Sequence, residues 1–225
     1  MPFELKNTVP WGRTLEEYQA IFNLQKSDLD KKIISFGDGP ASFNAEMTTK
    51  GKQVTSIDPI YQFAKNDLEN HIEETKYIVM KQMRENKDSF VWSSISNIDE
   101  LEKVRMNAMS HFISDFEQGK NQKRYILHEL PNKLAFADNS FDLGLSSHFL
   151  ILYSGLGLEF HIQSIAEMLR LCKEVRIFPL VNLSAQKSEV LESIIAHFEK
   201  DYTLTIETVN YEFQKGGNKM MKIIH

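Results

Sequence analysis

The sequence predicts an α/β fold in which a mostly parallel, seven-stranded sheet carries helices on both faces. Short apolar runs alternate with amphipathic helical segments over most of the 225 residues, and this alternation is typical of a parallel sheet whose strands are joined by helices. The last two apolar runs are instead separated by the turn-like sequence KGGN (residues 215–218), which predicts a C-terminal antiparallel hairpin. We interpret residues 1–225 as a single domain, a size that supports a large core without disulfides.

The composition is that of an ordinary globular protein, with 42% hydrophobic and 25% charged residues. Lys and Arg number 26 against 31 Asp and Glu, and the net charge of -5 argues against nucleic acid as the main partner. The one cysteine, Cys172, cannot form an intrachain disulfide, which fits a reducing compartment. No apolar run has the roughly 18 residues that span a bilayer, and the first residues lack a signal-peptide core. We therefore expect a cytoplasmic protein without a membrane partner, and the oligomeric state stays open.

The first quarter of the chain contains two predicted helices and two predicted strands. Thr14 and Glu17 have capping-box spacing, so their side chains can satisfy each other's backbone N–H groups at the start of a helix over residues 14–25. The other elements are a strand in KKIISFG (31–37), a helix in ASFNAEMTTKG (41–51) and a strand in QVTSIDP (53–59).

A long helical insertion follows the second strand, over about residues 61–118. Its apolar residues recur at helical spacing, and the sequence DSFVWSSISN (88–97) interrupts them, so we predict two or more helices. The segment is far longer than a simple crossover, and we interpret it as a cap over a binding site. Phe90 and Trp92 are candidates for its inner face. Three residues of the N-terminal helix region are candidate lid residues, with ordinary packing as an equal alternative: Arg13, Tyr18 and Phe22.

The second half of the chain returns to alternating strands and helices. The predicted strands are RYILHEL (124–130), Phe141–Ser146 within LAFADNSFDLGLSSHFL (134–150), EVRIFPLV (174–181), TLTIETVNYEFQ (203–214) and KMMKIIH (219–225). The predicted helices are LEFHIQSIAEMLRLC (158–172) and SEVLESIIAHFEK (188–200).

Two neighbouring strand ends carry the residues that suggest a ligand. Gly37 and Gly39 follow the first strand, where glycine allows unusual backbone angles and close approach of a ligand. Asp58 ends the second strand, where a carboxylate can accept both hydroxyls of a ribose. In parallel sheets ligands bind beyond the carboxyl ends of the strands. These three residues together therefore predict a nucleoside site.

The motifs SFGDGPA (35–41) and LAFADNSFDLGLSSH (134–148) resemble those of the class I, Rossmann-like S-adenosylmethionine (SAM)-dependent methyltransferases. The second is similar to the family signature LPFADNSFDLVLSSH, and the likeness covers about residues 31–60 and 124–225. Ser35 and Ala41 depart from the first motif, which has an acidic residue and a third glycine there. The family's acidic residue near adenine falls on Leu130, one residue after Glu129.

The resemblance implies SAM as cofactor and S-adenosylhomocysteine as product. It also implies a set of cofactor-binding positions: Ser35, Gly37, Asp38, Gly39, Asp58, Leu130 and Ser147. A dinucleotide fingerprint has a glycine where this chain has Ser42, so NAD is the weaker alternative.

Methyl transfer from a sulfonium is an in-line displacement, so the protein mainly orients the reactants, and a general base is needed only if the acceptor loses a proton. His148 follows the fourth strand and is the candidate base or substrate ligand, with local packing as the alternative. Tyr153, Glu159 and His161 lie on the same predicted rim and fit structural roles better. We predict that Cys172 is a buried residue that behaves as an apolar side chain and not as a nucleophile. No His, Asp or Glu cluster has metal-ligand spacing, so no metal is predicted.

The sequence therefore favours a SAM-dependent methyltransferase that acts on an unidentified small molecule. Two alternatives stay open: an NAD(P)-dependent oxidoreductase, and a non-catalytic relative that binds SAM or a partner protein. The possibility of a non-catalytic relative rests on the departures from the family motifs at Ser35, Ala41 and Leu130.

Overall fold

The computed structural model describes residues 11–225 and contains a seven-stranded sheet. The strands are β1 (Ile33–Phe36), β2 (Val54–Ile57), β3 (Tyr125–Ile126), β4 (Phe141–Ser147), β5 (Cys172–Phe178), β6 (Thr203–Thr208) and β7 (Lys219–Ile224). Their order across the sheet is β3-β2-β1-β4-β5-β7-β6. The first five strands are parallel, and β7 runs antiparallel to both β5 and β6. This arrangement confirms the predicted Rossmann-like α/β fold.

The helices are α1 (Leu15–Ile21), α2 (Phe43–Thr49), α3 (Lys65–Glu85), α4 (Ile98–Asn121), α5 (Leu158–Leu171) and α6 (Leu191–Phe198). Short 3-10 helices lie at Asp28–Asp30, Pro59–Gln62, Lys87–Ser89 and Ile151–Leu156. Within residues 11–225, none of the helices combines the length and the apolar character that a bilayer crossing needs.

The central strands of the sheet are buried on both faces, since successive residues of a strand point to opposite sides and helices cover both. All four residues of β1 are buried. Ile33 packs with α1 and α2 in one apolar cluster, whereas Ile34 packs with α5 and α6 in another. The continuous apolar run at this position thus marks a central strand, with helices on either face.

The helical insertion lies between β2 and β3 and consists mainly of α3 and α4, which pack on each other. The predicted interruption at residues 88–97 matches the segment that separates the two helices. Asn97 caps α4, since its side chain accepts from the backbone N–H of Glu100 at 2.9 Å. The insertion after the second strand is therefore confirmed.

Several predicted elements are longer than the observed ones. The capping box of Thr14 and Glu17 is present, but α1 ends at Ile21 rather than at residue 25, because the chain turns at Asn23 with a φ of 49°. The predicted strand over residues 124–130 contains only Tyr125–Ile126. β3 is an edge strand paired with β2, and β2 passes into a 3-10 helix at Pro59, so the ladder ends there.

The predicted C-terminal hairpin is antiparallel, but its connection differs from the prediction. β6 ends at Thr208, and residues 209–218 leave the sheet before β7 begins. The cause is burial: Tyr211 and Phe213 pack into the core beside α1 and the insertion. The backbone N–H of Val91 donates to the carbonyl of Phe213 at 2.7 Å, which fixes this loop to the insertion. The sequence KGGN turns within the loop instead of joining two strands directly.

Candidate functional site

A cavity of about 300 Å³ lies beyond the carboxyl ends of the parallel strands, a size typical of small-molecule sites. Its floor comes from the segments that follow β1, β2, β3 and β4: residues 37–39, 57–60, 128–130 and 147–149. Its other walls come from the N-terminal segment, the helical insertion and the loop 209–218, through Arg13, Tyr18, Val79, Met83, Phe90, Arg105, Phe213 and Gln214. Strand ends that are distant in sequence thus meet other distant segments around one cavity.

The glycine turn after β1 places two glycines in left-handed backbone conformations, with φ values of 63° at Gly37 and 57° at Gly39. A Cβ atom on Gly39 would meet nothing within 4 Å, so this residue faces open space. A Cβ atom on Gly37 would lie 2.5 Å from the ring of Phe149, so that residue is needed for packing against the segment after β4. Of these two glycines, Gly39 therefore leaves open space beside the turn, while its N–H and carbonyl are bonded to Asp58 and Tyr61.

Asp58 lines the cavity and binds the glycine turn. Its carboxylate accepts the backbone N–H of Gly39 at 2.9 Å and that of Ile60 at 2.9 Å, and so caps the 3-10 helix after β2. Burial raises the pKa of this carboxyl to about 6, and the nearby charge of Asp38 also raises it, while the two backbone hydrogen bonds act in the opposite direction. Each oxygen keeps acceptor capacity after these bonds. Capping and ligand binding are thus compatible.

Asp38 forms a buried network of hydroxyl groups at the cavity wall. Its carboxylate accepts hydrogen bonds from the hydroxyls of Ser35, Ser56 and Tyr18. Burial raises the pKa of Asp38, and the hydroxyl donors oppose that rise. Asp38 lines the cavity, whereas Ser35 is fully buried and lies behind it. Ser35 stands where the motif that the sequence resembles has an acidic residue, and a carboxylate is present three residues later, at Asp38.

His148 lines the cavity in a left-handed conformation with a φ of 52°. Its backbone N–H donates to the carbonyl of Phe178 at 2.7 Å, and its Nδ1 lies 2.9 Å from the hydroxyl of Ser147. Burial holds the pKa of the imidazole well below its ordinary value, and the positive charges of Arg13 and Arg105 lower it further. The imidazole is therefore neutral at neutral pH.

The residues after β3 occupy the edge of the cavity. Leu130 is buried in its wall, and Glu129 lines it from an exposed position. His128 also lines the cavity, and its Nε2 lies 2.7 Å from the carbonyl oxygen of Asn132.

A buried ion-pair cluster beside the cavity joins three segments that are distant in sequence. Arg105 of α4 is fully buried, and its Nη1 lies 2.5 Å from the Glu17 carboxylate. The hydroxyl of Tyr211 donates to the same carboxylate at 3.2 Å. Sequence reasoning missed Arg105, Glu17 and Tyr211 as site residues. A signal was present at Arg105, which takes a position on the apolar face of α4 between Leu101 and Ala108.

Other residues singled out in the sequence have structural positions. Both ring nitrogens of His161 contact backbone carbonyl oxygens, at 2.6 Å from Gly157 and 2.8 Å from Leu150. Phe22 is packed in the core against Tyr18 and does not itself line the cavity, whereas Arg13, Tyr18, Phe90 and Tyr153 do line it.

Neither Glu159 nor Cys172 lies at the cavity. Glu159 is exposed and accepts from Gln163 at 2.7 Å. Cys172 is the first residue of β5 and is fully buried, which raises the pKa of its thiol and makes it a poor nucleophile. Over residues 11–225 there is no group of three or more His, Cys, Asp or Glu side chains placed to hold a metal ion.

No protein-family model matches the chain. Solved structures similar to it include magnesium protoporphyrin IX methyltransferase from Synechocystis PCC 6803 with bound SAM, at 12% identity and a TM-score of 0.46, covering 88% of this chain and 72% of that one. Another is the methyltransferase domain of bacterial CtHen1, at 13% identity and a TM-score of 0.47, covering 88% and 93%. A SAM-dependent methyltransferase from Aquifex aeolicus has 11% identity and a TM-score of 0.42, covering 93% and 94%.

In sequence, the chain is more similar to an archaeal protein than to these solved structures. The uncharacterized protein MJ0045 of Methanocaldococcus jannaschii is 39% identical over 221 residues, covering 97% of each chain. At this identity and coverage, the chain belongs to the same protein family as MJ0045.

Proposed function

We propose that this protein is a SAM-dependent methyltransferase that acts on a small-molecule acceptor. The observation that carries the proposal is the Asp58 carboxylate, held in the cavity wall by the N–H groups of Gly39 and Ile60. A carboxylate fixed in this way accepts the two hydroxyls of a ribose without reorganising. Gly39 leaves open space beside it. The arrangement supports a nucleoside ligand between the first two strand ends.

The carboxylate of Asp38 supports the same ligand at its other end. SAM carries an ammonium group on its methionine portion, and a buried carboxylate in the cavity wall is a suitable acceptor for it. The three hydroxyls on Asp38 fix its orientation. In this proposal Asp58 binds the ribose and Asp38 faces the amino-acid end.

The start of α2 argues against a dinucleotide. Pyrophosphate groups bind to free N–H groups at a helix N-terminus. Here the backbone N–H of Ser42 donates to the carbonyl of Arg13 at 3.0 Å, and the Ser42 hydroxyl donates to Glu46 at 2.5 Å. The N-terminal segment packs tightly on this point, since a Cβ atom on Gly12 would lie 2.0 Å from the carbonyl oxygen of Pro40. NAD(P) is therefore disfavoured, whereas SAM has no phosphate to place.

In the proposed reaction a lone pair on the acceptor attacks the methyl carbon of SAM, and the carbon–sulfur bond breaks with its electrons going to sulfur. The role of the protein is orientation and exclusion of water. The neutral imidazole of His148 adds no positive charge next to the sulfonium. Its low pKa makes it a weak base, which suits an acceptor that reacts as an anion or loses its proton only after transfer.

The test is calorimetry with S-adenosylhomocysteine, adenosine and NAD on the wild-type protein and on Asp58→Asn. We expect S-adenosylhomocysteine to bind the wild type and to bind Asp58→Asn about 10-fold more weakly, because a charge-assisted hydrogen bond is replaced by a neutral one. NAD binding without a response to S-adenosylhomocysteine would contradict the proposal and favour an oxidoreductase.

A further inference from the structure

We propose that Arg13 and Arg105 bind an anionic group, a carboxylate or a phosphate, on an otherwise apolar methyl acceptor. This inference rests on the proposed function and names the class of substrate. Its starting point is that Arg13 and Arg105 are both among the residues that line the cavity.

The two guanidinium groups are incompletely paired. Arg105 is fully buried, and its Nη1 and Nη2 contact Glu17 at 2.5 Å and Tyr211 at 3.4 Å. The Nη1 of Arg13 donates to the carbonyl of Trp11 at 3.3 Å. The Nε–H groups of Arg13 and Arg105 are both buried without an acceptor among residues 11–225. Buried charged donors are normally satisfied, so these two groups indicate a missing acceptor.

Among residues 11–225, the groups around the two arginines carry more positive than negative charge. Glu17 is the carboxylate that contacts Arg105, and it acts on Arg13 as well, so two positive groups share one negative group. The pKa of Arg13 is lowered first by burial and then by the charge of Arg105. A SAM sulfonium in the same cavity would add another positive charge. A bound anion offsets this excess and supplies acceptors for the free Nε–H groups.

The residues around the two arginines indicate that the rest of the ligand is apolar. Val79 and Met83 of α3, Phe90 of the segment after it and Phe213 of the loop 209–218 line the cavity. Phe90 and Phe213 stack with ring centroids 5.0 Å apart. These apolar surfaces bury hydrocarbon, whereas the arginines bind a charged group. A molecule with an apolar body and one anionic substituent matches both.

The acceptor fits this position better than the cofactor does. Arg105 extends from α4 of the insertion, and both arginines interact with the hydroxyl of Tyr211 in the loop 209–218. The arginines therefore belong to the part of the cavity formed by the insertion and the loop 209–218. The carboxylate of the cofactor is the other source of the same chemistry, and the experiment separates the two.

The probes are benzoate and phenyl phosphate, with benzyl alcohol as the uncharged control, titrated by calorimetry into protein saturated with S-adenosylhomocysteine. We expect benzoate or phenyl phosphate to bind, and Arg13→Gln to weaken that binding by about 10-fold or more, the loss typical of one hydrogen bond to a charged group. Arg84→Gln is the matched control, because Arg84 lies exposed on α3 outside the cavity lining. Which anion binds more tightly distinguishes a carboxylate acceptor from a phosphate acceptor.

A second variant separates anion binding from a structural role. Glu17→Gln keeps an amide oxygen for the backbone N–H of Thr14 but removes the internal competitor for Arg105. We expect this variant to bind the preferred anion several-fold more tightly, which loss of structure alone does not produce.

The proposal is overturned if the two anions bind no better than benzyl alcohol, or if Arg13→Gln binds them as the wild type does. It is also overturned if Arg13→Gln weakens S-adenosylhomocysteine but leaves 5′-methylthioadenosine, which lacks the carboxylate, unaffected. In that case the arginines hold the cofactor. If the wild type fails to bind S-adenosylhomocysteine, the proposed function fails, and the same titrations without nucleoside still decide whether the anion site exists.

Discussion

The hydroxyl of Tyr18 donates a hydrogen bond to the buried carboxylate of Asp38, and this contact joins helix α1 to the glycine turn after β1. The ring of Tyr18 also stacks on Phe43 of α2, with centroids 4.2 Å apart. The N-terminal helix is therefore part of the cavity wall rather than a separate extension, and the contact defines the first prediction.

Asp38→Ala should lower the free energy of unfolding by about 3 kcal/mol, because it leaves the buried hydroxyls of Tyr18, Ser35 and Ser56 without their acceptor. Tyr18→Phe should lower it by about 1 kcal/mol, since one donor is removed and the ring still packs. Urea denaturation of both variants and of the double variant measures the coupling. Strictly additive effects would contradict a direct bond.

Asp58→Ala should reduce both the affinity for S-adenosylhomocysteine and the stability. Stability should fall because the carboxylate caps the 3-10 helix after β2, and loss of a cap costs about 1 kcal/mol. Affinity should fall by about 10- to 100-fold if the ribose hydroxyls lose their charged acceptor. Calorimetry and thermal melting on the same sample check both. Lowered stability with unchanged affinity would restrict Asp58 to capping.

Binding of S-adenosylhomocysteine should weaken in acid. The pKa of Asp58 is raised to about 6, so its carboxylate is ionised at pH 7.5 and largely protonated at pH 5. If only the ionised form accepts both hydroxyls, affinity at pH 5 should be about 10-fold lower than at pH 7.5. Calorimetry across this range measures the change, and Asp58→Asn should remove it. The same pH dependence in Asp58→Asn would assign it to another group.

His148 should make the folded protein less stable in acid. Its pKa in the folded state lies below the unfolded value of about 6.5, so below that pH the unfolded chain binds the proton and the folded protein does not. This contribution to stability is present above about pH 6.5 and is lost as the pH falls. His148→Asn, which tolerates the positive φ, should lose less stability than the wild type between pH 7.5 and 5.5. Equal losses in urea denaturation would contradict a depressed pKa.

Hydrogen exchange in the insertion should slow when the cavity is filled. Val79, Met83 and Arg105 line the cavity from α3 and α4, so a bound cofactor with benzoate should reduce local opening of both helices. Mass spectrometry of peptides from residues 65–121 measures the exchange, with α6 on the opposite face of the sheet as the internal control. Unchanged exchange throughout the insertion would mean that it does not close over the site.

The fold could be predicted from the sequence because its signals are local. Each of these signals can be recognised in a few consecutive residues: the apolar run at Ile33–Ile34, the capping box at Thr14, and the glycines at 37 and 39. The motif before β4 resembles a methyltransferase signature, but its Asp138 contacts Arg170 at 2.7 Å and serves the turn rather than the cavity. Local patterns thus located the strands and the strand ends.

The charged end of the cavity could not be predicted in the same way. Glu17, Arg105 and Tyr211 are brought together by tertiary packing, and no local spacing relates them. The loop 209–218 was missed because the apolar residues Val209, Tyr211 and Phe213 alternate as in a strand, although they pack under the insertion. A period of two is the same for a strand and for an extended loop with one buried side.

The cluster of Glu17, Arg105 and Tyr211 also sets the order in which the cavity is completed during synthesis. Tyr211 and Phe213 leave the ribosome after the last helix, α6, has been made. A nascent chain that has reached α6 already contains the glycine turn, Asp58 and both arginines, but one wall is missing and Arg105 lacks its tyrosine partner. The part of the cavity around Asp58 therefore consists of residues made before α6, whereas the wall from the loop 209–218 is added only with the C-terminal strands.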